Sequence, residues 1–430
     1  MFENECVRGL TSEPTGESDR AFAIESYNLA IRHLLTHLGN RQDNVLVPLM
    51  TCVIFVCIDC VRHDIIGAMG HIKGGLKLLE TFRSHKDGQL NGIPEPQRRL
   101  LADVVVPIFA WLHMTGSIFG EGVCSASWLG GEEEREILQR PKPQNMDQTL
   151  SMFLDVVATF IEFARLHGNA KYSLSRNPSI AIENLRLLSE LDTWRANVDE
   201  LMVGPNAPKM DPAGINLLLA AFKAVRMWIE SFLYPNETVW DAYKGEYEEI
   251  LQLVASALDD SMRFPDPMSK LFAFEMPMIP ILHFVAIKCR WPHIRRRAID
   301  FLRTCPQREC MFTSRYSLIL AEKVMEIEES SLNYGTGHIP PEDMLPSESS
   351  RIYHINFPPL SGSRHGRAVN FMTKPQGISE PWSIRTDYIN IKSIELLRWF
   401  DVTGSSLEDH APEIGMLRGG IVDHSVMVHN

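Results

Sequence analysis

The residues of this chain whose types and spacing could do chemistry are a few histidines, scattered cysteines, one acid pair and a run of arginines. His33 and His37 lie four apart in a segment of helical periodicity, a spacing that can bring two imidazoles to one zinc ion. No glutamate base stands beside them, and zinc needs three or four ligands. Cys52, Cys57 and Cys60 fall in a strongly apolar stretch, with His63 just beyond. Cysteine in such a stretch packs as a small hydrophobe, and a metal there would need ligands from other helices. Cys305 and Cys310 form an isolated C-x4-C pair, read as a loop. Asp259-Asp260 opens like a magnesium-binding acidic helix, but Ser261-Met262-Arg263 adds no further carboxylate, so a solvated helix end is the expectation. Arg295-Arg296-Arg297, with Arg290 just upstream, could meet phosphate or an import receptor. Ile294, Ala298, Phe301 and Leu302 mark the buried face of that helix, which leaves the arginines expected on the wet one, as a surface interaction cluster.

The sequence holds no G-x-S-x-G elbow, no H-E-x-x-H and no G-x-x-x-x-G-K-[ST] loop. The expectation is therefore no catalytic residue, no metal ligand and no cofactor within the chain. Forty-two basic against 54 acidic residues give a net charge of −12, which argues against a nucleic-acid-binding surface, because phosphate contacts need a basic excess. The first twenty residues are acidic and lack the apolar stretch of a secretory signal. The apolar run from Val45 to Ile58 is shorter than the roughly 20 residues a spanning helix needs. With scattered cysteines and no secretory address, a soluble intracellular chain without membrane contact is expected.

Helices must position whatever these residues do. Ile24, Tyr27, Ile31, Leu34, Leu35 and Leu38 step by three and four, and Val45–Val61 follows a polar break. Met69, Ile72, Leu76, Leu79 and Phe82 continue the spacing in a helix weakened by Gly70, Gly74 and Gly75, whose compensation would be close helix approach. Further helices are expected near 96–118, 146–167, 179–202, 212–233, 238–260, 278–290, 293–304 and 314–330. Asp211-Pro212 is a capping start, and Tyr234-Pro235-Asn236 is a break. After residue 330 the composition turns to Ser, Pro, Gly and acid, a linker pattern. Arg351–Phe357 and Arg367–Thr373 alternate as a hairpin would, and Ile389–Phe400 reads as a helix or as a strand running into one. The expected fold is all-α: stacked helical hairpins in one large helical domain, with a small β-like C-terminal extension. The segments are a flexible 1–20, a helical 21–330, a linker 331–350, an extension 351–400 and a loose tail 401–430.

Several stretches together resemble the regulatory, middle homology region of fungal binuclear-zinc-cluster transcription factors. They are Tyr27–Leu35, Val53–Arg62, the helix with Ala68, His71 and Gly75-Leu76, Phe109–Leu112 with Gly116–Gly120, and Glu237–Asp241. The most specific is Ile279-Pro280 through Phe284-Val285-Ala286-Ile287-Lys288-Cys289-Arg290, followed by Pro292 through Leu302. The resemblance spans about residues 21–390 and implies a nuclear transcriptional regulator, with metabolic gene clusters as a natural target. Partners would be a second copy, as a homodimer, or transcriptional cofactors, with a small metabolite as a further candidate.

The departure is informative too. Members of that family open with six cysteines that bind two zinc ions and dock a helix on DNA. Here Cys6 is the one cysteine before residue 52, so none of those ligands carries over. DNA contact would belong to a zinc-cluster module that is lost or lies outside these residues. The readings that compete are a helical scaffold or cofactor protein that binds no DNA, and an enzyme on an α-helical frame.

Overall fold

The computed structural model describes residues 46–61, 64–84, 100–118, 146–172, 177–203, 212–263, 278–332, 338–356 and 367–389, with isolated positions between 25 and 33 and at 97 and 334. Ten α-helices and a few short strands make up the described residues, an all-α architecture with a small β extension. The helix expected at 24–38 lies largely outside them, as do His37, His63 and everything after Ile389.

Helix α1 (Leu46–Val61) turns Leu49, Cys52, Val53, Val56 and Cys60 inward, against Ala68, Met69, Ile72, Leu76 and Leu79 of α2 (Ile65–Ser84). This is the face that three- and four-residue spacing builds. A five-residue π turn, Leu101–Val105, then leads into α3 (Val106–Ile118). Gly75 is where α2 meets α3, since a β-carbon there would stand 2.1 Å from Cε1 of Phe109. Gly70 and Gly74 face open space, so close approach accounts for only one of the three glycines.

Aromatic packing ties the next helices together. Trp194 of α5 (Pro178–Val203) lies 4.8 Å from Phe153 of α4 (Met146–His167) and donates its indole N–H to the Thr149 carbonyl at 2.7 Å. Phe160 of α4 meets Trp228 of α6 (Pro212–Ser231) edge-on at 5.0 Å. Helix α6 is long and apolar enough by composition to cross a membrane. Its inward side buries Leu218, Ala221, Ala224 and Met227, while Lys223 and Arg226 pair with Glu249 and Asp192 of neighbouring helices. It packs as a core helix of the bundle.

The break at Tyr234-Pro235-Asn236 is followed by a 3-10 turn, Glu237–Tyr243, before α7 (Lys244–Arg263) begins, where one continuous helix is expected from 238. Helices α8 (Met278–Lys288), α9 (Pro292–Thr304) and α10 (Ser314–Glu329) complete the body. Between α9 and α10 the expected loop around Cys310 is a tight hairpin, with β1 (Arg308–Glu309) pairing antiparallel to β2 (Phe312–Thr313).

The C-terminal extension is a three-stranded antiparallel sheet in the order β3 (His354–Asn356), β4 (Arg367–Thr373), β5 (Ser383–Ile389). Ile355 stands opposite Phe371, and Phe371 opposite Arg385. The strand ending at Ile389 starts six residues before the stretch in which a last element is expected. Ile352, Ile355, Val369, Phe371 and Ile389 join the same apolar core as the helices, so the sheet is part of the body. The expected linker is likewise bound where it is described: Glu348 accepts the amide protons of Glu237 and Thr238 at 2.7 and 2.8 Å. A segment rich in Ser and Pro reads as free only while its backbone partners are unknown.

Candidate functional site

Glu237 opens the 3-10 turn after the proline break, and its side chain points into the body rather than to water. Lys288, the last residue of α8, donates from Nζ to both Glu237 oxygens at 3.0 and 2.9 Å. The same ammonium lies 5.6 Å above the ring of Trp240, itself packed edge-on against Phe284 at 5.5 Å. Arg290, in the short break between α8 and α9, donates to Glu237 Oε2 at 3.1 Å and to Glu328 Oε1 of α10 at 2.9 Å. It also donates to the Lys288 and Ile352 carbonyls at 2.9 and 3.3 Å. Arg295 of α9 donates to the Ala286 carbonyl at 2.9 Å, reaching back to the last turn of α8, and bonds Glu328 Oε2. Glu328 in turn accepts the Ile352 amide at 2.8 Å, which fixes the entry to β3.

Arg351 extends the lattice. It forms a two-pronged pair with Asp241 at 2.7 Å on each arm and donates to the Pro346 carbonyl at 2.9 Å. The Tyr353 hydroxyl donates to Glu348, the carboxylate that also caps the 237–243 turn. Four cations, Lys288, Arg290, Arg295 and Arg351, thus face four carboxylates, Glu237, Asp241, Glu328 and Glu348. Buried charge is costly unless paired and hydrogen-bonded; here every charge is paired or hydrogen-bonded, with Arg295 Nη1 alone of its guanidinium nitrogens lacking a partner.

The electrostatics follow from that balance. Burial pushes the Glu328 carboxyl up, but the guanidiniums of Arg290 and Arg295 outweigh it and hold it down at about 2. For Glu237 burial again raises, and Lys288 and Arg290 again win, leaving it below the ordinary carboxylate range. Lys288 goes the other way: burial lowers its pKa, and Glu237 restores only part of the loss. The site thus holds Glu237 and Glu328 as carboxylates near neutrality. It joins the 3-10 turn, α8, α9, α10 and the start of the sheet, and presents no exposed acid, base or nucleophile of its own.

The expected surface cluster is therefore divided. Arg290 and Arg295 are 1% and 0% exposed, a correction to the reading of the run as solvated surface. The reason is angular: successive helix residues turn by about 100°, so neighbours cannot share a face. Arg295 stands three, four and seven residues before Ala298, Ile299 and Leu302, all buried, and belongs to their face. Arg296 is half-buried and pairs with Glu329 at 2.6 Å. Arg297 alone of the run faces solvent, lying 5.4 Å from the Phe301 ring.

Beside the lattice, Trp382 stands edge-on to Tyr172, Tyr353 and His354 at 5.4, 5.7 and 4.7 Å, and Lys374 lies 4.2 Å over its ring. The Tyr172 hydroxyl is 3.1 Å from His354 Nε2. Nothing in the spacing of these residues marks them as a group, since they come from a 3-10 turn, one strand and three positions just outside the strands. Elsewhere, Cys52 and Cys60 are buried and Cys57 half-buried on α1, and desolvation raises the Cys52 thiol to about 11. His33 and Asp259 are exposed. Among the described residues no group of three or more His, Cys, Asp or Glu side chains is placed to hold a metal ion.

No family model matches the chain, and neither the curated proteins nor the solved structures contain a significant match to it.

Proposed function

We propose that this chain is the regulatory and interaction domain of a transcriptional regulator of the fungal zinc-cluster type. In this reading it acts in the nucleus, and a separate zinc-cluster module makes the DNA contact. What supports it is one convergence. Two of the segments that resemble that family, Glu237–Asp241 and the most specific one, Ile279–Leu302, are separate in sequence and interlock through Glu237, Lys288 and Arg290. The resemblance thus falls on residues that act together to hold the body of the domain. A helical body of this kind serves as a platform for a second copy or for transcriptional cofactors.

The test is a reporter assay in a fungal host. The full chain, fused to an unrelated DNA-binding domain, should change transcription from a promoter carrying that domain's site. A tagged version should concentrate in the nucleus when joined to a zinc-cluster module. A fusion that binds the promoter and leaves transcription unchanged, in either direction, would count against the reading. On its own the chain should bind duplex DNA only weakly and without sequence preference. Its net charge is −12 and the run Arg295-Arg296-Arg297 leaves a single solvated guanidinium for phosphate. A nanomolar, sequence-selective complex at physiological salt would place a DNA-reading element among these helices instead.

A further inference from the structure

The last described strand has an open edge. β5 pairs with β4 along all seven of its residues, from Ser383 opposite Thr373 to Ile389 opposite Arg367, and no described strand lies on its other side. In an antiparallel ladder alternate residues turn their N–H and C=O groups away from the neighbour they pair with. This edge therefore presents backbone groups that no described strand takes up. The two strands also differ in exposure. Val369, Asn370, Phe371 and Met372 bury β4 on both faces, whereas Ser383, Ile384, Arg385, Thr386 and Tyr388 of β5 are exposed, Tyr388 to 56%. Edge strands are ordinarily blunted by lysine, proline, a bulge or shortness. β5 has none of these: it is seven residues long, unbroken in register, and reads Ser-Ile-Arg-Thr-Asp-Tyr-Ile.

We propose that β5 is the docking surface for a second copy of this chain: two β5 strands pair antiparallel about a two-fold axis through Thr386, and the two sheets become one. In that register the strand is its own complement. Ile384 meets Tyr388 of the second copy, and Tyr388 meets Ile384, on the face where both are exposed. Arg385 meets Asp387 of the second copy, and Asp387 meets Arg385, on the other face. Thr386 meets Thr386 at the axis. Aromatic with β-branched, opposite charges, and threonine with threonine are pairs that stabilise antiparallel strands. Arg385 is half exposed, and its 3.3 Å pair with Asp387 along the strand can exchange for the one across strands. Charge also fixes the register. Moving the axis one residue either way sets Arg385 against Arg385 or Asp387 against Asp387, and like charges directly opposite are destabilising. A net charge of −12 opposes contact between copies in general, so a contact needs a local match of this kind. One strand pair covers less than the roughly 1,200 Å² of a lasting interface, so the dimer forms and separates readily. The pairing uses the sheet, not the helical body, and holds without any role in transcription.

The test follows the mass of the full chain by sedimentation equilibrium from about 1 to about 200 micromolar, the range in which a small interface associates. The mass should rise from one chain toward two, and amide exchange along β5 should slow as concentration rises. Arg385→Asp leaves two acids on the strand and Asp387→Arg two arginines, so each variant alone should dimerise about tenfold or more weakly. Mixed in equal amounts, the two variants should associate at the wild-type level again, because each strand then supplies the charges the other needs. That recovery also shows both variants to be folded. A wild-type chain that stays monomeric throughout would overturn the proposal. So would undiminished dimers in both single variants, which would place the contact elsewhere, or a mixture of cooperatively unfolding variants no tighter than either alone. Exchange in the wild type reads the edge without any variant, and slowing that spares β5 would overturn the proposal as well.

Discussion

The α1–α2–α3 corner and the ion lattice bury their residues by opposite means. In the corner, apolar side chains such as Leu49, Val56, Ile72 and Leu76 come together, and Gly75 lets the Phe109 ring approach the α2 backbone. In the lattice, charged side chains that ordinarily seek water are enclosed and made tolerable by one another. The corner is held by a non-directional force and can adjust to modest changes in shape. The lattice depends on every partner being present, and losing one strands the others. Tolerance to substitution should therefore differ sharply between the two regions.

The largest effect is expected at Glu328. Glu328→Ala removes the carboxylate shared by Arg290 and Arg295 and leaves two guanidiniums without it in a buried site. Breaking a buried pair in this way costs about 3–5 kcal/mol, and chemical denaturation should show that loss in the midpoint. Glu328→Gln keeps the shape but loses the charge and turns one of the two acceptor oxygens into a donor NH2 facing a guanidinium, and should fall nearly as far. A loss under about 1 kcal/mol for both would mean that the lattice is held by packing, like the corner.

The contrast also explains what could be read from sequence. Helices α4, α5, α6, α8 and α10 are legible to within two or three residues, because apolar side chains recur at helical spacing along each. The lattice was not legible, because Lys288, Arg290 and Arg295 carry the charges that usually mark a wet surface. One signal was present. Arg295 shares the spacing of Ala298, Ile299 and Leu302, and periodicity weighed more than charge at that position. The bound state of the 338–350 segment had no sequence signal at all, since Glu348 finds its amide partners at Glu237 and Thr238, more than a hundred residues upstream.

A second, smaller expected effect lies in the corner. Gly75→Ala puts a methyl group inside contact distance of the Phe109 ring, and forcing helices apart typically costs about 1–3 kcal/mol. Trimming the ring in the double variant Gly75→Ala, Phe109→Leu should return part of that loss, so the two changes should not add. Additive losses in the denaturation midpoints would show that the two helices can slide past the clash.

Acid and alkali should separate the regions further. Glu328 is held at about 2 when folded against its usual 4.5, so below 4.5 the unfolded chain takes up a proton that the folded chain resists. The stability it contributes is complete above 4.5 and is lost as pH falls toward 2. Buried His283, held at about 4 against its usual 6.5, weakens the fold over the neighbouring window from 6.5 to 4. The thiol of Cys52 behaves differently. Burial keeps it protonated to about 11, so above its usual 9 the unfolded chain ionises first and stability falls with rising pH. Urea midpoints measured from pH 2 to 4 should therefore flatten in Glu328→Gln, while Cys52→Ala should flatten the profile from 9 to 11. Unchanged slopes in either variant would assign that arm of the profile to other groups.

The smallest effect is expected on the outermost arginine. Arg297 follows Arg295 and Arg296 directly in sequence, yet it lies on the solvent side of α9 with the Phe301 ring beside it. Removing an exposed side chain of this kind changes stability by no more than about 0.5 kcal/mol. Arg296→Ala breaks a half-buried pair with Glu329 and should cost more, and Arg295→Ala, which unties Glu328 from α9, should cost most. Read along three adjacent codons, the loss should thus fall steeply from Arg295 to Arg297. Equal losses at all three positions would mean that the run acts as one charged surface after all. A silent Arg297→Ala in the denaturation measurement, paired with a changed reporter response, would instead mark the exposed guanidinium as a partner contact carried on a helix that the lattice holds in place.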